Sequence, residues 1–293
     1  MSSKTFGHTA KYWAYRMGSA WRYYKGAKTR YDLHSPSLVA FQQAVLQTRI
    51  DPQLEALVQD FRRWYAQQDQ WIDTTALGAG SWIRNRPKRR LNELVSHSAI
   101  SSRSGQLLAR LANFIEAETI VELGTNGGIS TAYLAYGRPG AQVISIEGNE
   151  QLAHSTRESL RKWSNNAKAQ QATLTREIKI ITGTFAEQLP DLVKGQKRID
   201  LLFIDGDHRY AATLDYVRTC LPRATKYSVF VIADIRWSEG MERAWTELQS
   251  WPEVSATVAT YHFGFLFFNE DMRGLPPLDF IGARWKPWRM GFW

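Results

Sequence analysis

The sequence predicts an α/β fold: a doubly wound, mostly parallel seven-stranded sheet with a terminal antiparallel hairpin, plus an N-terminal helical region. Three observations predict it. Short apolar runs alternate with helical patterns from about residue 119 to residue 248. A glycine-rich turn joins the first of these strands to its helix. Two later strands, 256–260 and 264–268, follow each other with no helix between them, which is the pattern of a hairpin.

The first hundred residues are predicted to be mainly helical. An aromatic and basic helix covers about residues 9–25. Asp51 and Pro52 are an N-cap and a first helical residue, and the helix behind them has an apolar face at i, i+3, i+4, i+7 spacing. Residues 74–90 form a long loop, a length that often marks a functional lid. A second amphipathic helix, with its apolar face between Leu107 and Ile115, leads into the glycine-turn strand.

The glycine turn is the most informative segment. Residues 119–123 are apolar and β-branched, residues 124–128 hold three glycines, and a helix starts near Ser130. Glycine allows positive φ angles and a close approach of the backbone to a ligand. The first helical turn leaves N–H groups unpaired, so the segment predicts a site for a polar ligand group. A dinucleotide fingerprint would need a second glycine at position 126, where this chain has Asn126.

Two other predicted strands also end in polar residues. The strand 141–147 ends in Glu147, whose carboxylate can accept hydrogen bonds from both hydroxyls of a ribose. The strand 199–204 is followed by Asp205, Gly206, Asp207 and His208. Ligands of open α/β sheets bind outside the carboxyl ends of the strands, so all three segments should meet at one site.

Glu122, Gly124 and Gly128 form an E-x-G-x-x-x-G pattern that resembles the first motif of class I S-adenosylmethionine (SAM) methyltransferases. With the Ile-Asp-Gly-Asp-His motif at 204–208 and the segment Asp-Ile-Arg-Trp-Ser-Glu-Gly-Met at 234–241, the chain resembles the bacterial, catechol O-methyltransferase-related branch. The resemblance covers roughly residues 100–270 and, more loosely, the N-terminal helices. It implies the class I fold, SAM as cofactor and methyl transfer as the reaction.

The resemblance also implies which residues bind the cofactor. The glycine turn and first helical amides would take the amino-acid end of SAM, with Ser130 hydrogen-bonding its carboxylate. Glu147 would bind the ribose, and the segment from Gly183 to Phe185 would border the adenine. Glu122 would order the turn rather than touch the ligand. The expected cofactor residues are Glu122, Gly124, Gly128, Ser130, Glu147, Gly183, Phe185 and Asp205.

The expected catalytic residues are His208, Asp205 and Asp234. In the related enzymes an aspartate binds a divalent metal and a lysine three residues later acts as base; these positions match Asp205 and His208. An asparagine ligand of that group is replaced by Ile235, so we expect transfer without a metal or with weak metal assistance. Asp205 and Asp234 are the candidate metal ligands.

His208 is the candidate general base, since a histidine side chain ordinarily titrates near pH ~6.5. Asp207 or Asp234 would orient its ring. The alternative is that His208 caps the helix starting near Arg209.

The predicted domains are a helical region and cap or lid (1–100), a SAM-binding methyltransferase domain (101–270) and a basic aromatic tail (271–293). Residues 1–100, with the 74–90 loop, would cover the site and select a small-molecule acceptor. The alternative for these helices is an interface between copies of the chain, and a homodimer is compatible with the sequence. The tail either docks on the domain or reaches a partner.

The net charge of +9 leaves other functions open. Basic residues cluster before Asp32 and again at 84–90, so a nucleic acid is compatible as partner, as is a simple solvated face. The alternatives are an RNA-directed methyltransferase, a non-catalytic RNA-binding scaffold, and an NAD-dependent oxidoreductase, against which the missing second glycine argues. A single cysteine, Cys220, and the lack of a signal peptide or apolar span predict a cytoplasmic protein without a membrane span.

Overall fold

The computed structural model describes residues 3–46, 50–74, 87–165, 178–286 and Trp288. The helices are α1 (Ser3–Gly26), α2 (Pro36–Phe41), α3 (Pro52–Ala66), α4 (Leu91–Ser98), α5 (Ser102–Phe114), α6 (Ile129–Gly137), α7 (Glu150–Ser164), α8 (Phe185–Lys194), α9 (Tyr210–Cys220) and α10 (Glu239–Leu248). The strands are β1 (Trp71–Asp73), β2 (Lys88–Arg90), β3 (Thr119–Leu123), β4 (Gln142–Glu147), β5 (Ile178–Thr182), β6 (Leu201–Ile204), β7 (Val229–Ala233), β8 (Ala256–Ala259), β9 (Phe263–Phe267) and β10 (Leu278–Asp279).

The main sheet has the strand order β10-β8-β9-β7-β6-β3-β4-β5 among the described residues. Strands β7, β6, β3, β4 and β5 run parallel, whereas β9 pairs antiparallel with both β7 and β8. The predicted α/β fold with its terminal antiparallel hairpin is therefore confirmed. The two-residue strand β10 adds an eighth strand, and β1 and β2 form a separate antiparallel pair; the sequence analysis predicted neither.

Helices cover both faces of the sheet, which explains why its central strands are apolar throughout. Every residue of β6 and β7 is buried, as expected for parallel strands packed on both sides. On one face Phe61 of α3 stacks on Trp163 of α7, with ring centroids 4.4 Å apart. On the other face, Trp245 of α10 packs with Ile232 in a second core that also includes residues of α8 and α9.

The N-terminal helices share the core of the sheet. Phe41, at the end of α2, meets the rings of Phe265 and Phe267 at 5.3 and 5.1 Å. Burying an aromatic side chain of this kind contributes about 1.5–3 kcal/mol. The division of the chain at residues 100 and 270 remains a prediction. Residues 75–86, which include most of the predicted 74–90 lid, lie outside the described residues.

The segment after β10 docks on the end of α1. The backbone N–H of Lys28 donates to Asp279, and the N–H of Ile281 donates back to Lys28, at 2.7 and 2.8 Å. The buried ammonium of Lys286 donates to the carbonyl of Ala27 at 2.6 Å. The tail up to Lys286 therefore packs on the rest of the chain, and apart from Trp288 the residues beyond it lie outside the described part. Among the described residues, every helix is too short or too polar to span a lipid bilayer.

Candidate active site

The turn after β3 has the close approach that its glycines predict. Gly124 has a φ of +106°, and a Cβ atom there would lie 2.5 Å from the carbonyl oxygen of Asp205. The N–H of Gly124 donates to Ile146, and the N–H of Asp205 donates to Leu123. The glycine turn is thereby fixed to the ends of both β4 and β6, so the three segments lie together as predicted.

Helix α6 begins with an amide cluster that no side chain caps. Its N-cap is Gly128, which is in the left-handed conformation with φ +70° and makes no side-chain cap hydrogen bond. The first-turn N–H groups of a helix carry partial positive charge and favour an anion by about 0.3–1 kcal/mol. This end of α6 is therefore suited to a carboxylate.

Glu122 lies beneath this turn and is fully buried. Its Oε2 atom accepts hydrogen bonds from Thr131 of α6 and Ser145 of β4, at 2.5 and 2.7 Å. Burial raises the pKa of Glu122 to about 7, opposed by the hydroxyls of Ser130, Ser145 and Thr131 and reinforced by the charge of Asp205. The side chain joins β3, β4 and α6, which supports the predicted ordering role. Ser130 is itself buried in this cluster.

The raised pKa of Glu122 predicts a pH-dependent stability. The folded chain keeps this proton up to about pH 7, whereas the unfolded chain loses it near 4.5. The contribution of Glu122 to the free energy of unfolding should therefore fall as the pH rises from about 4.5 to 7. The expected decrease is ~1.4 kcal/mol per pH unit and about 3 kcal/mol in total. Denaturant titrations between pH 4.5 and 8 should show this slope in the wild type and a shallower one in Glu122→Gln, in which Asp205 and Glu147 still contribute. Parallel curves for wild type and Glu122→Gln would contradict the assignment, and the exposed Glu150→Gln is the control.

Glu147, at the end of β4, is buried and binds two backbone amides. Its carboxylate accepts hydrogen bonds from the N–H groups of Asn126 and Asn149, at 2.8 and 3.0 Å. Burial raises its pKa, while these amides and Gly148 oppose the shift. The carboxylate thus lies directly beside the glycine turn, where the predicted ribose contact requires it.

Gly183 and Phe185 follow β5 on the same edge of the sheet. The N–H of Gly183 donates to the carbonyl of Glu147 at 3.0 Å. A Cβ atom on Gly206 would lie 2.8 Å from the ring of Phe185. The structure therefore brings these two residues to the Glu147 and Asp205 strand ends, while their contact with an adenine remains a prediction.

Asp205, His208 and Asp234 form a compact cluster at the ends of β6 and β7. His208 Nε2 lies 3.9 Å from Asp205 Oδ1 and 3.9 Å from Asp234 Oδ2. One potential ligand atom from each residue lies within 4.8 Å of those of the other two. Asp234 has a φ of +52°, a strained conformation for a residue other than glycine and one that is common at functional sites.

The two carboxylates of this cluster have opposite pKa shifts. Burial raises the pKa of Asp205 to about 6, with the charge of Asp234 adding to the rise and His208 opposing it. Burial also acts to raise the pKa of Asp234, but His262, His208 and Arg16 outweigh it and the net shift is downward. Asp234 therefore stays ionised to a lower pH than Asp205 does.

Within the described residues, no hydrogen bond holds the ring of His208. Its Nδ1 atom is buried and has no hydrogen-bond partner in the described part of the chain. Asp207, one predicted orienting residue, instead binds Arg209 and Tyr216. The N-cap of α9 is Arg209 and carries no side-chain cap bond, so the alternative role of His208 as a helix cap has no hydrogen bond to support it.

Two contributors to this cluster were not predicted from the sequence. His262, in the turn between β8 and β9, has its Nδ1 atom 3.8 Å from Asp234 Oδ1. Arg16 of α1 lies over the rings of Trp237 and Tyr261, at 5.1 and 5.7 Å. The position of His262 could have been predicted, because β9 runs antiparallel to β7 and must therefore start at the carboxyl end of β7. No comparable signal marked Arg16.

Comparisons with known proteins agree with this geometry. Residues 121–235 match a family described as a methyltransferase domain. Catechol O-methyltransferase of Mycobacterium tuberculosis is 30% identical over 138 residues, 47% of this chain and 57% of that protein. Catechol O-methyltransferase of Niastella koreensis is 32% identical over 111 residues, 37% of this chain and 46% of that protein. The central part of the chain is therefore similar to a methyltransferase domain and to bacterial catechol O-methyltransferases.

The matched segments span about half the length of these curated relatives. A solved structure extends the likeness of the methyltransferase fold to most of the chain. The S-adenosylhomocysteine-bound methyltransferase of Podospora anserina superposes with a TM-score of 0.54 and 13% identity, covering 81% of this chain and 98% of that one. At this identity the likeness concerns the fold alone.

Proposed function

We propose that this chain is a SAM-dependent O-methyltransferase that acts on a small-molecule acceptor. One observation carries the proposal: three features lie together at one edge of the sheet. They are the uncapped start of α6, the Glu147 carboxylate and the Asp205–His208–Asp234 cluster. The first two suit the two polar ends of a nucleoside-linked amino acid. The third suits removal of a proton from an acceptor.

The residues around the glycine turn fit SAM. The first-turn amides of α6, behind the left-handed Gly128, would take its carboxylate, with Ser130 close by. Glu147 would accept the ribose hydroxyls, and Gly183 to Phe185 would border the base. SAM supplies an already activated methyl group. The protein must therefore align the acceptor and hold the proton that the acceptor loses.

His208 is the proposed base, and the ionised Asp234 would stabilise the imidazolium that forms. The imidazole is only 19% exposed, and its Nε2 atom faces both carboxylates of the cluster. A positioned general base is typically worth ~10²–10⁴ in rate. Asp234, whose pKa is lowered, keeps its negative charge beside the ring over a wider pH range than Asp205, whose pKa is raised.

The same cluster could hold a divalent cation, but its donor set is poor for a hard one. Magnesium and calcium take about six or more oxygen ligands, and the cluster offers two carboxylates and one nitrogen. Ile235, which replaces an asparagine of the related enzymes, is fully buried in the core and contributes no ligand. The proposal is therefore transfer without an obligatory metal.

Treatment with EDTA tests whether His208 acts as a general base or as a metal ligand. Methyl transfer from isotopically labelled SAM to a panel of phenols and catechols should proceed in excess EDTA at no less than about half of its rate without EDTA, because His208 removes the proton directly. Complete inhibition by EDTA, restored by a divalent cation, would show that the cluster is a metal site and that His208 is a ligand. No transfer to any member of the panel, with SAM still bound, would leave the fold assigned and the acceptor class wrong.

Helix α1 is the proposed cover on the acceptor side. Besides the Arg16 contacts, Tyr15 donates to Glu242 of α10 at 2.7 Å, and Tyr23 meets the ring of Tyr261 at 5.6 Å. These contacts hold α1 across the segments that carry Asp234 and His262. A covered site excludes water and orients the acceptor, and orientation can supply up to ~7–11 kcal/mol.

A further inference from the structure

A cavity of about 550 Å³ lies beside the candidate active site, on the other side of the β8–β9 turn. Its walls come from the end of α1 and the turn that follows it, the π-helical segment Gln42–Leu46, helix α5, the β8–β9 turn and the docked segment 280–285. These elements are far apart in sequence. The cavity exists only because the C-terminal segment packs against α1.

The wall of this cavity is strongly basic. Among the described residues, four arginines line it together with His262, and the lining includes no aspartate or glutamate. They come from three separate elements: Arg30 from the turn after α1, Arg103 and Arg110 from α5, and Arg284 from the C-terminal segment. Arg103 and Arg110 are seven residues apart on a helix, a spacing that places both on one face.

Most of this charge is not neutralised by acidic side chains of the described residues. Within the described parts of the chain, Arg30, Arg103 and Arg284 form no ion pair, whereas the nearby Arg236 pairs with Asp279 at 2.6 Å. Arg30 instead binds the hydroxyl of Tyr31, and Arg284 lies over the ring of Trp285. Burial lowers the pKa of Arg110, whose Nε atom donates to the carbonyl of Val45. Guanidinium groups gathered in this way match the planar oxygens of a carboxylate or phosphate.

His262 connects the cavity to the active-site cluster. His262 lines the cavity, and its Nδ1 atom lies 3.8 Å from Asp234. Tyr261, also in the cavity wall, lies under Arg16 of α1. A ligand that fills the cavity and extends past His262 would therefore reach the cluster that contains His208.

We propose that this arginine-lined cavity binds an acidic group, a phosphate or a carboxylate, that is carried by the methyl acceptor. This inference rests on the proposed function, because it assigns the acceptor of the same site to a chemical class. The arginines hold the acidic end of the acceptor. The hydroxyl at its other end then lies at the Asp205–His208–Asp234 cluster.

Calorimetric titration of the full chain, saturated with S-adenosylhomocysteine, with inorganic pyrophosphate and separately with citrate tests the binding. The wild type should bind one equivalent of at least one probe, and the stronger one identifies phosphate or carboxylate as the group. In the double variant Arg103→Gln/Arg284→Gln the affinity should fall on the order of 10-fold or more, since charge-assisted hydrogen bonds are lost. The control Arg63→Gln removes an exposed arginine that pairs with Asp60 on α3 and should bind as wild type.

A second measurement tests whether the bound anion adjoins the active site. His262 is 60% exposed, so diethylpyrocarbonate should modify it, and the bound probe should slow this by at least ~3-fold, the protection expected at a few times Kd. Failure of both probes to saturate the wild type, or equal binding by the double variant, would overturn the cavity as an anion site. If His262 were modified at the same rate with and without the bound probe, the link between the cavity and the acceptor would be overturned. Loss of S-adenosylhomocysteine binding itself would instead count against the proposed function.

Discussion

Replacing His208 by alanine is expected to lower kcat by ~10²–10⁴, the usual contribution of a positioned general base. The side chain lies between Asp205 and Asp234, and its buried Nδ1 atom has no hydrogen bond to any described residue. Its removal therefore leaves no hydrogen-bond partner unsatisfied in the described part of the chain. Affinity for S-adenosylhomocysteine should therefore stay within ~3-fold of wild type, less than one hydrogen bond is worth. Imidazole added to the buffer should restore part of the rate.

The matched control for this variant is His154→Ala, which removes an exposed histidine on α7. A fall in kcat of less than ~10-fold in His208→Ala would remove the base assignment. Loss of the cofactor affinity together with the rate would show that His208 supports the site rather than takes a proton. The EDTA experiment then separates a lost base from a lost metal ligand.

Replacing Glu147 by alanine is expected to weaken S-adenosylhomocysteine binding by roughly 100-fold or more. Two hydrogen bonds from ribose hydroxyls to a charged carboxylate are worth about 1.5–3 kcal/mol each. The variant also frees the amides of Asn126 and Asn149, so the glycine turn itself loosens. The exposed Glu150→Ala, three residues further on, should bind as wild type. Equal binding by Glu147→Ala and wild type would exclude the ribose assignment.

The sequence was sufficient for the parts of the site that lie on single strands and their turns. Glu122, Gly124, Glu147 and Asp205 could be placed because parallel strands bring their carboxyl ends to one edge. Each position follows from a local pattern: a β-branched run, then a glycine or an acid. The terminal hairpin followed in the same way from two strands without an intervening helix.

The other parts depend on packing between distant segments, which leaves no local pattern. Arg16 reaches Trp237 only because α1 crosses the end of the sheet, and Tyr15 meets Glu242, 227 residues away in sequence. The arginine cavity needs α5, the turn after α1 and the C-terminal segment together. In the sequence, its arginines look like ordinary solvated charges. The two-residue strand β10 is too short for any periodicity to reveal it.

The most direct test of the central claim is a calorimetric titration of the wild-type chain with S-adenosylhomocysteine. The uncapped first turn of α6, the Glu147 carboxylate and the Gly183–Phe185 segment together predict saturable binding of one equivalent per chain. NADH in the same buffer should give no binding heat. Absence of S-adenosylhomocysteine binding by the folded wild type, or saturable binding of NADH in its place, would contradict the account.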